Sequence, residues 1–155
     1  MHPTLAPLRL TTGAFILNSG IGKLSADEAT ATWLHDTAST AYPFLADIKA
    51  KDFARGLAIA EIAVGAALLL PTVPSSVAGA ALTGFGGGLV GLYLRTPGMT
   101  EPDGIRPTSQ GTALAKDTWL LGAGLTLLSQ GVVSGAKSGA KKVGRRVREV
   151  SPFSE

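Results

Sequence analysis

The chain has 155 residues and a net charge of +3, with 45% apolar side chains, only 16% charged side chains and no cysteine. Charged residues are scarcer than the roughly 25% typical of soluble domains, and the mean hydropathy is positive, at +0.28. This composition excludes a disordered chain, makes a soluble enzyme an unfavoured interpretation and favours a bilayer protein. The absence of cysteine excludes disulfides, thiolate metal sites and cysteine nucleophiles. Two histidines are too few for a haem or zinc site built by this chain alone, so we expect no cofactor bound covalently or through metal ligands.

Four segments are predicted to cross the membrane as helices, since a bilayer core needs about 20 mainly apolar residues per helix. Between Arg55 and Arg95 the single charged residue is Glu61, and no charge lies between Asp117 and Lys137. The first segment is the most polar, and its alternative interpretation as a cleaved signal peptide is disfavoured because it lacks an Ala-x-Ala exit. The predicted spans are 5–22, 53–70, 75–94 and 112–133.

The segments between the spans differ in character. In the loop over 24–52, Ser25 and Glu28 have the spacing of a capping box, which predicts a helix from Ala26 to about Thr40 lying on the outer face of the bundle. The sequence PTVP over 71–74 predicts a tight turn between the second and third spans, because proline ends one helix and suits the first turn of the next. The loop over 96–111 is rich in Pro and Gly and is predicted to be irregular.

The whole positive excess lies in a basic tail over 134–155, which follows the predicted bundle over 1–133. Lysine and arginine beside an apolar span are typical of the cytoplasmic side, so four spans place both termini in the cytoplasm. The tail has helical periodicity and is predicted to lie on anionic lipid headgroups rather than to bind nucleic acid, with a disordered tail as the alternative. Its basic residues, predicted to contact lipid or a partner, are Lys137, Lys141, Lys142, Arg145, Arg146 and Arg148.

Ionisable residues inside the spans are the candidates for chemistry, because such groups are costly in a bilayer and usually pair in the interior. Glu61 lies near the middle of the second span, and we interpret it either as part of a polar pocket or proton relay or as part of an ion-pair network that fixes helix registry. By depth, Arg55 is expected to reach Asp117, and Lys116 is expected to extend toward Glu61. Arg9 is expected to be a snorkelling anchor at the cytoplasmic end of its span. The candidate catalytic residues are Glu61, Lys116 and Asp117.

Small residues recur at helical spacing in the third span, which predicts a close helix–helix contact. This contact belongs either to the chain's own bundle or to a larger partner protein. The predicted packing residues are Ala80, Gly84, Gly87, Gly88 and Gly91.

Over about residues 8–130 the chain resembles the DoxX-like family of small membrane proteins. The resemblance is carried by three motifs in matching order and spacing. They are Arg9-Leu10 with Gly13, Phe15, Gly20 and Lys23-Leu24; Glu61 with Gly65 inside EIAVGAALLLP; and Lys116-Asp117 ahead of TWLLGAGLTLL.

The resemblance implies a four-helix, multi-pass protein of the bacterial plasma membrane. The family's name comes from a subunit of a thiosulfate:quinone oxidoreductase, so a quinone is a possible cofactor, although membership alone does not confer that activity. The family's polar positions carry over to Arg9, Lys23, Glu61, Lys116 and Asp117. Together with Arg55 they form the predicted intramembrane polar network.

These observations predict an all-α, four-helix transmembrane bundle with an outer interfacial helix and a basic cytoplasmic tail. We favour a non-catalytic accessory subunit of a larger membrane complex, such as a respiratory or redox complex. The sequence has many small-residue helix faces that suit packing and few residues that could bind a cofactor. This interpretation makes other subunits of that complex, together with the bilayer, the expected partners. The alternatives are a quinone-linked membrane oxidoreductase component and, on Glu61 alone, a small proton-linked transporter.

Overall fold

A computed structural model of the protein describes the backbone of residues 3–150 and the side chains of residues 4–137. The α-helices are α1 (Ala6–Lys23), α2 (Glu28–Ala41), α3 (Ala50–Leu69), α4 (Ser75–Arg95), α5 (Thr112–Ala115) and α6 (Thr118–Val150). Within these described residues the regular structure is entirely helical, apart from one isolated bridge between Thr100 and Pro107. The all-α prediction is therefore confirmed, and each predicted span coincides with a helix or, for the last, with α5 and α6 together.

Two antiparallel helix pairs, α1 with α3 and α4 with α6, make up most of the structure. Glycine lets the backbones approach in both pairs, because an added Cβ would meet the neighbouring helix at less than 3 Å. At Gly65 of α3 that Cβ would lie 2.7 Å from the backbone nitrogen of Leu17, and at Gly86 of α4 it would lie 2.7 Å from that of Leu121. The pairs are joined through a core cluster of Ile16, Leu68, Ala78, Leu82, Leu120, Ala123 and Leu127.

The close contact of α4 does not use the residues that the sequence predicted. Ala80 is exposed, and a Cβ added at Gly84, Gly87 or Gly88 would have no atom within 4 Å. At Gly91 it would meet the hydroxyl of Tyr42, so this position does contact another element. Within the chain's own bundle α4 uses its other glycine face, since Gly79 and Gly86 are the glycines packed against α6, and the alternative contact with a larger partner protein stays a prediction. Four of the five predicted packing residues therefore border open space.

The segment before α3 forms the predicted extra helix, but with a different cap. Asp27 is the N-cap of α2 and accepts a hydrogen bond from the backbone N–H of Thr30 at 2.8 Å, whereas the Ser25 hydroxyl donates back to the Gly22 carbonyl. The aspartate stands one residue before the first helical position and takes the role predicted for the serine. Tyr42 fastens the C-terminal end of α2 by donating a hydrogen bond to the Gly88 carbonyl of α4 at 2.8 Å.

Two helical segments of the described chain, Ser75–Arg95 and Thr112–Lys137, are long and apolar enough to cross a membrane. The helices α1 and α3 are not among them, so the structure supports two of the four predicted spans. At Gly131, α6 packs against Ser76 near the start of α4. Beyond this contact the α6 backbone continues as helix to Val150. The predicted lipid contacts of Lys141, Lys142, Arg145, Arg146 and Arg148 lie outside the described side chains.

Candidate functional site

A cavity of about 600 Å³ lies between the two helix pairs and beneath α2. Its lining is predominantly apolar and comes from α1, α2, α3, α4 and the α5–α6 region. Ile16 and Leu120 belong both to this lining and to the core cluster, so the core forms the floor of the cavity. The volume lies within the range of sites that hold drug-sized molecules. Further lining residues are Phe15, Trp33, Leu34, Tyr42, Phe53, Leu57, Phe85, Leu89 and Leu92.

An ion pair between Lys23 of α1 and Glu61 of α3 stands in the wall of this cavity. The Lys23 ammonium lies 2.9 Å from Glu61 Oε2 and donates a second hydrogen bond to the Ser19 hydroxyl at 2.7 Å. The Glu61 side chain is 7% exposed and that of Lys23 is 21% exposed, so the pair is shielded and still open to the cavity on the lysine side. Because an ammonium has three N–H donors, the described contacts leave Lys23 one donor for a ligand.

The helix break between α5 and α6 brings a second pair of charges to the same cavity. Lys116 and Asp117 form this break and line the cavity, and the Asp117 carboxylate interacts electrostatically with Lys116, Glu61 and Lys23. We call Lys23, Glu61, Lys116 and Asp117 the charged end of the cavity. With all four groups ionised its net charge is zero.

The pairing inside this cluster differs from the prediction in two respects. Glu61 forms its ion pair with Lys23 rather than with Lys116, because the antiparallel packing of α1 on α3 brings the last turn of α1 to the middle of α3. The predicted contact of Arg55 with Asp117 does not form either. Arg55 is exposed, does not line the cavity and has no ion pair among the described residues.

Arg9 lies apart from the charged end, at the opposite end of the bundle. Its side chain is fully buried, which contradicts the expectation of a snorkelling anchor. All five of its N–H groups donate hydrogen bonds to the end of α3 and the turn into α4. The acceptors are the carbonyls of Ala67 (2.8 Å), Leu68 (2.8 Å), Leu70 (2.9 Å) and Val73 (3.0 Å) and the Ser75 hydroxyl (3.2 Å). Arg9 therefore caps the C-terminal end of a helix through tertiary contacts, since the last carbonyls of a helix have no partner within it.

Two further features bear on what the site can do. Among the described residues, no three His, Asp or Glu side chains stand together in a way that would hold a metal ion. The Thr12 hydroxyl, one turn beyond Arg9 on α1, is fully buried and has no hydrogen-bond partner within the described part of the chain. The geometry at the charged end thus offers ammonium and carboxylate groups to a ligand head, beside an apolar space for its body.

The chain matches no protein-family model, no curated protein sequence and no solved structure. The DoxX-like resemblance accordingly stays a prediction.

Proposed function

We propose that this protein is a four-helix integral membrane protein that binds an amphipathic lipophile in the cavity between its helix pairs. The observation that carries the proposal is the cavity itself, about 600 Å³ of mainly apolar space with one charged end. A ligand with an apolar body and a single polar head matches both parts of such a lining. Membrane residence and ligand binding have separate support and separate tests.

Exposure of the apolar helices supports membrane residence. In the two helices that are long and apolar enough to cross a membrane, only 28% and 22% of the apolar window is buried. A helix in the core of a soluble protein would be mostly buried, whereas most residues of these two windows are partly or fully exposed. Large exposed apolar patches of this kind mark surfaces that meet a membrane or a partner.

The charges of α1, and the one charge of α3 beyond the exposed Arg55, are consistent with spans as well. Arg9 and Glu61 are buried, and Lys23 is half-buried in its ion pair. From Gly56 to Leu70 the exposed residues are Gly56, Ile59, Ala60, Ala63 and Leu70. Summed hydropathy therefore underestimates how apolar the outer surface of these helices is, because it counts charges that face inward.

Cysteine accessibility tests the four spans and their orientation. The chain has no native cysteine, so D47C before α3, T72C in the α3–α4 turn and E101C in the 96–111 loop each introduce a single thiol. We expect a membrane-impermeant maleimide added outside intact cells to label D47C and E101C, and to label T72C only after the cells are opened. The same labelling of D47C and T72C would place both ends of α3 on one side of the membrane and would contradict the four-span arrangement.

Binding is testable by tryptophan fluorescence, because Trp33 lines the cavity and the chain has just two tryptophans. In a W119F background Trp33 is the sole reporter. The probe is a long-chain alcohol with a bromine at the end of its chain, which quenches a nearby indole. We expect saturable quenching in lipid nanodiscs, and quenching that rises linearly with probe concentration would contradict a binding site.

Variants of the charged end test where the probe's head sits. K23M should weaken binding roughly tenfold or more, because it removes a hydrogen bond from a charged group, which contributes about 1.5–3 kcal/mol. E61Q removes the ion pair that positions the Lys23 ammonium and should also weaken binding. The matched control is R55Q, a change of an exposed charge on the same helix that does not line the cavity. Equal affinities in all three variants would place the head elsewhere.

The quinone-linked alternative is a narrower form of this proposal. A quinone combines an apolar ring and tail with carbonyl oxygens, and Lys23 has a donor for such an oxygen. The accessory-subunit role stays a prediction of the sequence, and co-purification with larger subunits after mild extraction is its test.

A further inference from the structure

The cavity communicates with the surroundings through residues that both line it and are exposed. Phe15 is 51% exposed and Trp33 is 64% exposed. Gly84 and Gly88, one helical turn apart on α4, are also exposed lining residues. We call these two glycines of α4 the apolar rim. Ala113 and Lys116 form a second exposed part of the lining, beside the 96–111 loop.

The opening at the apolar rim depends on the missing side chains of its two glycines. A Cβ at Gly84 or Gly88 would have no atom within 4 Å, so the space above both is open. The glycines lie on α4, whose other exposed residues include Val77, Ala80 and Leu94. This α4 surface is uncharged from Ser75 to Leu94, so in a membrane the rim opens toward acyl chains rather than toward water.

The charged end restricts the head of the ligand. Lys23, Glu61, Lys116 and Asp117 sum to zero charge when all are ionised, and the Lys23–Glu61 pair is shielded from water. A charged head would lose its hydration on entering the site. It would then be attracted by two of the four charged groups and repelled by the other two, so little of the desolvation cost would be recovered. An uncharged head with a hydroxyl or carbonyl oxygen can accept from the Lys23 ammonium at a smaller desolvation cost.

From these observations we infer that the ligand is an uncharged lipophile that enters the cavity sideways from the bilayer, across the apolar rim. The inference rests on the proposed function and adds two properties to it, the charge class of the ligand and its route. A water-borne solute would instead enter beside Ala113 and Lys116.

Filling the rim tests the route. G84L and G88L each add a side chain at the opening, where an added Cβ meets no atom within 4 Å, and G87L is the matched control because the Cβ at Gly87 has the same open space but Gly87 does not line the cavity. The assay uses nanodiscs and a background in which Trp33 is the sole tryptophan. The rate of quenching by the bromine-tipped alcohol should fall at least roughly tenfold in the two rim variants, because the added side chain raises the barrier to entry. G87L should keep the wild-type rate.

A variant of the second opening distinguishes the two routes. A113L narrows the lining beside the loop, and for lateral entry it should slow quenching less than either rim variant does. Slow quenching in A113L, with wild-type rates in G84L and G88L, would overturn lateral entry. Rates unchanged in all three would also overturn it, while saturable quenching in the wild type would still uphold the proposed function.

Matched probes test the charge class. At mildly alkaline pH the bromine-tipped carboxylic acid and amine are charged, and the alcohol of the same chain length is neutral. The alcohol should bind at least roughly tenfold more tightly than either, as expected for the loss of one charged group's hydration. Equal or tighter binding of the acid or the amine would overturn this part of the inference, whereas the absence of saturable quenching by any probe would refute the proposed function itself.

Discussion

Replacing Arg9 should destabilise the protein more than any other single substitution of a charged residue on α1. Its guanidinium is fully buried and donates five hydrogen bonds, four of them to backbone carbonyls. The acceptors belong to the last turn of α3 and the turn into α4, where the helix itself offers no N–H partner. R9M removes every donor while keeping much of the apolar volume of the side chain.

The magnitude follows from the number of carbonyls left without a donor. An unsatisfied buried polar group costs about 1–3 kcal/mol, and part of this cost is recovered when water or a shifted backbone reaches the end of α3. R9M should therefore lower the free energy of unfolding by about 4 kcal/mol, at the upper end of single substitutions. R9K keeps the charge but has three donors on a flexible stem in place of a planar fork of five, so about 2 kcal/mol is expected for it.

The assay is reversible unfolding in mixed detergent micelles, followed by circular dichroism. S75A is the matched control, because it removes one acceptor of Arg9 at 3.2 Å and leaves the four carbonyl contacts in place. S75A should cost about 1 kcal/mol or less. If R9K and R9M were both as stable as the wild type, the hydrogen bonds would not stabilise the turn and the argument would be refuted.

Three further predictions concern single positions. G65A should destabilise the α1–α3 pair, since its Cβ would lie 2.7 Å from a backbone nitrogen of α1. In G87A the added Cβ meets nothing within 4 Å, so this variant should gain about 0.5–1 kcal/mol of stability from helix propensity. Equal unfolding midpoints for G65A and G87A would contradict the packing. T12V removes a buried hydroxyl without a partner and should stabilise the protein by about 1 kcal/mol, and a loss of stability on the same unfolding assay would reveal a partner. Hydrogen bonds to the Asp103 carboxylate hold its pKa below the ordinary value. The largest effect comes from the Arg106 side chain, followed by the backbone N–H groups of Ile105 and Arg106. The Asp103 carboxylate therefore stabilises the 96–111 loop above the pKa of the unfolded chain and stops doing so as pH falls through its lowered folded pKa. R106Q removes the side-chain donor and keeps both backbone donors, so carboxyl NMR should find a higher pKa for Asp103 in R106Q than in the wild type.

The start of α2 and the turn between α3 and α4 were predictable because they contain residues with strong local preferences. Pro71 and Pro74 fix the turn between α3 and α4, and the absence of charge over 75–94 marks the next helix. These signals act within a few residues of chain and need no knowledge of the neighbours. The N-cap of α2 shows how fine the local choice is, because Ser25 and Asp27 are both good caps and only the second one is used.

The charged end was predictable in its members but not in its pairing. The cost of burying a charge singled out Glu61, Lys116 and Asp117, all of which line the cavity, although only Glu61 is buried. Lys23 was named through the resemblance. Which cation meets Glu61 depends on the register of α1 against α3, and no local signal states that register. The glycines contain the missing information, because Gly20 approaches the Ala58 carbonyl and Gly65 approaches Leu17. Aligning the two helices on these glycines would bring Lys23 within one turn of Glu61.

The cavity had no signal of its own, because its apolar lining residues look like those of any membrane helix. It exists because the two tight pairs, each drawn together by glycine, meet each other mainly through the core at one end. Toward the other end larger side chains such as Phe15, Phe53 and Phe85 hold the pairs apart, and α2 covers the gap. The placement of glycine on some helix faces and not on others therefore explains both the close packing within each pair and the looser packing between the pairs. Since the unpacked glycines of α4 line or border this gap, the same residue type closes the pairs and opens the cavity between them.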